Sequence, residues 1–125
     1  MTRNSILLAA GYGKGAECWT FTRGTDGRYQ IDTTWKSKNL KAKFSNPVLK
    51  DGYLYGLSEN LLVCIEAKTG KLKWRGKKYG YGRILVSEDK LVILGNTGVL
   101  SVVEVSPNQF TEIFSQQLLS NVRCW

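Results

Sequence analysis

Three phrases of this 125-residue chain end in a large aromatic residue at nearly constant spacing. TDGRYQIDTTW closes at Trp35, AKTGKLKW at Trp74 and SPNQFTEIF at Phe114, so the aromatics stand 39 and 40 residues apart. In each phrase a turn leads into a strand-like run. A polar linker and a further apolar run come next, as in NPVLKDGYLYGL and RILVSEDKLVIL, where Asp51 and Asp89 correspond at an offset of 38. A unit of about 40 residues that recurs in this way must stack on its neighbours to bury its apolar surface.

The runs inside the repeat are short. ILLAA (6–10), YLYGL (53–57), LLVCI (61–65), RILV (83–86), LVIL (91–94) and VLSVVEV (99–105) are separated by turn-formers such as Asp51-Gly52, Ser58-Glu59-Asn60 and Glu88-Asp89-Lys90. Strands of this length with regular turn punctuation predict an all-β fold. With four short antiparallel strands per unit, the period is that of a β-propeller blade. About three units are expected, spanning roughly 5–45, 46–85 and 86–125 of a single domain. One segment points both ways. In SPNQFTEIFSQQLLS the spacing of Phe110, Ile113, Phe114 and Leu118 suits a helix capped at Asn108, while Phe110, Glu112 and Phe114 alternate as in a strand. The repeat favours the strand. Trp35, Trp74 and Phe114 are then expected to fill the gaps between neighbouring blades.

A chain of this size allows one small domain, and its 42% hydrophobic and 22% charged residues are those of a globular protein. The net charge of +8 is concentrated at Lys36, Lys38, Lys41 and Lys43, and again at Lys71, Lys73, Arg75, Lys77 and Lys78. Such stretches act as solvated edges that oppose aggregation, or as non-specific binding sites for nucleic acid and other polyanions. The chain has no histidine, which excludes a Ser-His-Asp triad and a Cys-His pair. Cys18, Cys64 and Cys124 are far apart and form no C-x-x-C motif, which argues against a zinc site. They fit either one disulfide with a thiol left over or three buried free thiols. No metal or cofactor is expected. The apolar core of MTRNSILLAA, five residues, is too short for a secretory signal or a membrane span.

GYGKGA (11–16) matches the spacing of a dinucleotide-binding loop, with Asp32 placed for a ribose. Such a loop needs a helix after its glycines, whose N-terminal amides meet the pyrophosphate. Here ECWTFT follows, a strand-forming run. KYGYGR (78–83) repeats the Gly-Tyr-Gly element, so both are read as structural turns. Gly11, Gly13, Gly70, Gly80 and Gly82 are assigned to turns, where glycine adopts angles that larger residues resist. Lys14 and Arg83, each beside such a turn, are candidates for a shared partner-binding rim.

LVCIEAKTGKLKWRG (62–76) resembles the repeats of pyrroloquinoline-quinone-type β-propellers. Those read apolar strand, Asp-Ala-x-Thr-Gly, then a short strand ending in Trp. Here Glu66 stands in place of the Asp, followed by Ala67, Thr69, Gly70 and Trp74. KDGYLYGLSENLLVCIEAKTGKLKW extends the match, and GYGRILVSEDKLVILGNTGVLSVVEVSP is similar to a next blade, with Phe114 in place of Trp. The resemblance implies either a quinone-dependent dehydrogenase or a non-enzymatic scaffold, such as the propeller lipoprotein that helps assemble outer-membrane proteins. It also implies a periplasmic or exported setting. The dehydrogenases of the family are similar in an adjacent Cys-Cys pair and a calcium-ligand set. Neither pattern occurs here, so no catalytic residue is carried across and the scaffold branch is the closer match.

Propellers usually have four to eight blades. Three units leave two open faces, which predicts a fragment of a larger propeller, a homo-oligomer or a different closure. The expected function is a non-catalytic scaffold for a protein partner. The alternatives are a fragment of a quinone-dependent dehydrogenase and a polyanion-binding basic module.

Overall fold

The computed structural model describes residues 4–123, and every regular element among them is a β-strand. In chain order these are β1 (Ser5–Ala10), β2 (Gly15–Arg23), β3 (Tyr29–Ser37), β4 (Val48–Lys50), β5 (Tyr53–Ser58), β6 (Leu61–Glu66), β7 (Leu72–Lys78), β8 (Arg83–Ser87), β9 (Lys90–Leu94), β10 (Val99–Glu104) and β11 (Glu112–Gln117). They form three antiparallel meanders, β1-β2-β3, β4-β5-β6-β7 and β8-β9-β10-β11. The first sheet thus departs from the expected four strands per unit, with three among the described residues. The helix alternative for SPNQFTEIFSQQLLS is excluded, because β11 pairs with β10 through Val102↔Phe114 and its neighbours.

The repeat is repeated register. Trp35 pairs with Cys18, Trp74 with Cys64 and Phe114 with Val102. A bulge follows each pair, so that the next partners are Trp19↔Thr33, Ile65↔Leu72 and Val103↔Glu112. An inserted residue at a fixed point bends each strand in the same way and aims the aromatic along one direction.

The middle sheet is buried on both faces, which explains its sequence. β5 (YLYGLS) and β6 (LLVCIE) are continuously apolar and buried along their lengths, whereas β1 and β8 alternate between half-buried and exposed. One core cluster fills each gap. Ala16, Cys18 and Trp35 of the first sheet meet Leu54, Val63 and Ile65 of the second, with Leu40 of the β3–β4 linker between them. Tyr55, Cys64 and Trp74 on the second sheet's other face meet Leu91, Ile93 and Val103 of the third.

Each tryptophan crosses a gap. Trp35 Nε1 donates to the carbonyl of Ala67 at 2.9 Å, and Trp74 Nε1 to the carbonyl of Ser106 at 2.7 Å. Trp35 lies on Gly70, where a Cβ would come within 2.5 Å of its ring and φ is +74°. Trp74 packs on Phe110, with ring centroids 5.6 Å apart. Phe114 differs from this expectation. It is 42% exposed against 8% for each tryptophan, because among the described residues no further sheet lies on its side.

Candidate functional site

The chain connections divide between two ends of the sheets. One end, here the linker end, holds the β1–β2 turn (11–14), the β3–β4 linker (38–47), the β5–β6 turn (59–60), the β7–β8 linker (79–82) and the β9–β10 turn (95–98). Hydrogen bonds tie these segments together. Glu59 N donates to the Lys41 carbonyl, Tyr79 N to the Asn60 carbonyl and Tyr81 N to Asn96 Oδ1. The charges are unevenly divided. Lys14, Lys38, Lys41 and Lys43 belong to the linker end, flanked by Lys78 and Arg83, and Glu59 is the carboxylate among these segments. The opposite end, 24–28, 51–52, 67–71, 88–89 and 105–111, mixes Asp26, Asp51, Glu88 and Asp89 with Arg28, Lys68 and Lys71.

At the linker end three aromatic rings from three segments surround one ammonium group. Lys43 Nζ lies 4.1 Å from the centroid of Tyr12, 5.0 Å from that of Tyr81 and 5.4 Å from that of Phe44, all within cation–π range. Phe44 and Tyr81 also meet edge to face, with centroids 5.9 Å apart. Phe44 holds a φ of +65°, which is costly for a bulky side chain and marks a constrained position. Gly11 permits the approach of the Lys43 stem, since a Cβ there would lie 2.7 Å from the Lys43 Cβ. Lys38 Nζ reinforces the turn by donating to the carbonyls of Gly13 at 3.0 Å and Lys14 at 2.9 Å. Tyr12 and Phe44 remain exposed, at 74% and 54%. The result is a basic surface with fixed aromatic rings, suited to binding by stacking and charge.

Lys14 and Arg83 both belong to this end. The two Gly-Tyr-Gly elements do too, but they are not equivalent. GYGKG closes a hairpin within one sheet, with Lys14 N donating to the Gly11 carbonyl, whereas KYGYGR joins two sheets. Gly13, Gly70 and Gly80 have positive φ, while Gly11 and Gly82 serve close approach instead, Gly82 to the Leu94 carbonyl. After Lys14 the chain enters β2, so a strand stands where a nucleotide-binding loop has its helix. Asp32 lies within β3. Cys18 and Cys64 are free and buried in separate clusters, and Cys124 lies outside the described residues. Among the described residues no group of three His, Cys, Asp or Glu is placed to hold a metal ion, and no helix is long and apolar enough to cross a membrane.

No protein-family model matches the chain, and no curated protein matches it by sequence. Solved structures do match. A europium-containing methanol dehydrogenase is similar over 92% of this chain and 23% of its own, with a TM-score of 0.61 and 14% identity. BamB from Moraxella catarrhalis is similar over 94% of this chain and 39% of its own, at 0.59 and 15%. A functionally unknown protein from Desulfotomaculum acetoxidans DSM 771 is similar over 98% and 46%, at 0.53 and 13%. The chain has the fold of a β-propeller arc. It spans less than half the length of each of these structures.

In this propeller arc the three sheets are blades, and Trp35 and Trp74 are the wedges between them. Identity this low carries the fold, and the structures that share it include both an enzyme and BamB. The sequence singles out Lys14 and Arg83 as a candidate rim, and they lie at the same end as Tyr12, Lys43, Phe44 and Tyr81, which it does not single out. The central tyrosine of each Gly-Tyr-Gly was a signal available in the sequence. The left-handed turn at Phe44 had none, since glycine, asparagine and aspartate are the residues that announce such a turn.

Proposed function

We propose that the propeller arc is a non-catalytic interaction module that holds a protein partner at its linker end. The aromatic cluster around Lys43 is the observation that supports this reading. Tyr12, Phe44 and Tyr81 come from three segments, and the stacked blades hold those segments in place at no further ordering cost on binding. Tyrosine and phenylalanine fixed in this way are the anchors that dominate protein interfaces. The lysines about them favour a partner with an acidic surface.

Photo-crosslinking tests the reading. A photoreactive phenylalanine analogue at Tyr12 is expected to trap a defined protein partner, and a Phe44→Ala/Tyr81→Ala background to abolish the adduct. An adduct that survives this background, or that forms equally from Asp51 on the opposite end, would overturn the assignment. The basic charge of the linker end favours one second reading, polyanion binding. In that case retention on heparin falls steeply with salt and no protein adduct forms. For a quinone-binding fragment, pyrroloquinoline quinone with calcium would raise the melting temperature of the chain.

A further inference from the structure

The outward face of the first blade carries an apolar hollow of about 270 Å³, lined by Ile6, Trp19, Phe21, Tyr29 and Ile31. Its position in the repeat identifies its occupant. Counted through the common register, Ile6 and Trp19 correspond to Leu54 and Ile65 of the second blade and to Leu91 and Val103 of the third. Those four residues lie beneath a preceding blade. Ile6 is 45% exposed, whereas Leu54 is 2% and Leu91 0% exposed. The first blade therefore has the composition of a covered face at positions that are open.

The residue that receives the preceding blade's aromatic stands four positions before the next aromatic. Gly70 receives Trp35, and Phe110 receives Trp74. The corresponding residue in the first blade is Ile31, in the wall of the hollow. At the other end of the arc Phe114 is the aromatic with no receiver among the described residues. Its face of the third blade continues through Val102, Val92 and Leu85, the last exposed at 54%.

The hydrogen-bonding groups agree with this pairing. Ala67 and Ser106 offer turn carbonyls to the two indoles. In the first blade β2 runs on through Phe21, which pairs with Ile31, so ladder bonding replaces the turn there. The aromatic left to dock on it is a phenylalanine, which has no ring N–H to satisfy. The charged residues on this face are Glu17, Lys36 opposite it, and Arg23, which lies over the Tyr29 ring at 5.9 Å. Glu17 accepts from Trp19 Nε1 at 2.9 Å and pairs with Lys36 at 3.1 Å, so it needs no partner from across the gap.

We infer that two copies of this chain dock head to tail, Phe114 of each entering the hollow at Ile31 of the other. The contact continues the blade-on-blade packing already present twice within the arc, and with Phe114 and Ile31 of both copies engaged the pair is a closed dimer. The inference is independent of the linker-end reading, since it uses neither Lys43 nor its rings.

Sedimentation of the 125-residue chain tests it. A mass near 28 kDa, twice 14.0 kDa, is expected to appear as concentration rises through the micromolar range. Phe114→Asp and Ile31→Asp are each expected to weaken association by at least about tenfold. Mixed together, the two variants retain one intact plug and one intact hollow, so the mixture associates more tightly than either alone. Circular dichroism establishes that both variants are folded, and Phe114→Ser with Ile31→Thr takes their place where an Asp variant is not. A wild-type mass of 14.0 kDa at every concentration would overturn the inference. So would a dimer that either substitution leaves intact, or a mixture of folded variants that stays monomeric.

Discussion

The indole N–H of Trp35 reaches the backbone carbonyl of Ala67, 32 residues further along the chain, at 2.9 Å. The interval from Trp74 to its acceptor Ser106 is also 32 residues. One polar atom on each large apolar side chain thus sets how each blade seats on the next, and the apolar surface supplies the driving force.

Trp35→Phe and Trp74→Phe are therefore expected to cost about 1–2 kcal/mol each, since a carbonyl loses its donor. The alanine variants are expected to cost about 3–5 kcal/mol through the cavity they leave. Phe114→Ala in dilute, monomeric protein is expected to cost less than about 1 kcal/mol, because that ring is exposed. Urea denaturation of the five variants checks the order.

Gly70→Ala and Gly52→Ala separate backbone strain from collision. Both glycines have positive φ, +74° and +83°. A Cβ at Gly52 meets nothing within 4 Å, and this variant is expected to lose about 1–2 kcal/mol. A Cβ at Gly70 meets the Trp35 ring, which is expected to add about 1–3 kcal/mol and to shift the tryptophan emission. Equal losses for the two variants would refute the collision.

The Tyr55 hydroxyl is buried with no oxygen or nitrogen partner among the described residues, only the weakly hydrogen-bonding Cys64 thiol beside it. Tyr55→Phe keeps the ring that packs on Trp74 and removes the stranded polar group. A change between zero and about 1 kcal/mol of added stability is expected. A loss above about 1 kcal/mol would mean that the hydroxyl is satisfied in solution.

Alkaline pH is expected to unfold the arc before it ionises the folded core. Burial pushes the Cys64 thiol from 9.0 up to about 11 and raises the Tyr55 and Tyr79 hydroxyls in the same direction. Each group is neutral in the folded chain at a pH where the unfolded chain has already lost the proton. The stability this gives is complete below about 9 and is lost as pH rises towards 11. For Cys64 the slope is about 1 kcal/mol per pH unit. Denaturation midpoints measured across that window should fall with pH, and Cys64→Ala should reduce the slope.

Much of the fold was legible because the repeat writes the same local rules three times. A single pass over SPNQFTEIFSQQLLS leaves helix and strand in balance, and the alignment of Phe114 with Trp74 decides for the strand. Alternation separates Cys18, which faces the second blade, from Trp19, which faces away. The aromatic cluster was not legible. It depends on three segments converging on Lys43 from positions as distant as Tyr12 and Tyr81, and no local pattern encodes that meeting. Glycine spacing suggested that GYGKG and KYGYGR were copies, yet hairpin turns and inter-blade crossings share the same residues for different reasons.

Burial of the middle sheet on both faces has a consequence for how such a chain changes over time. A substitution on β5 or β6 must satisfy two neighbouring sheets at once. That segment is the one in which the propeller signature reads most clearly. The clarity is the mark of a position with no room to drift.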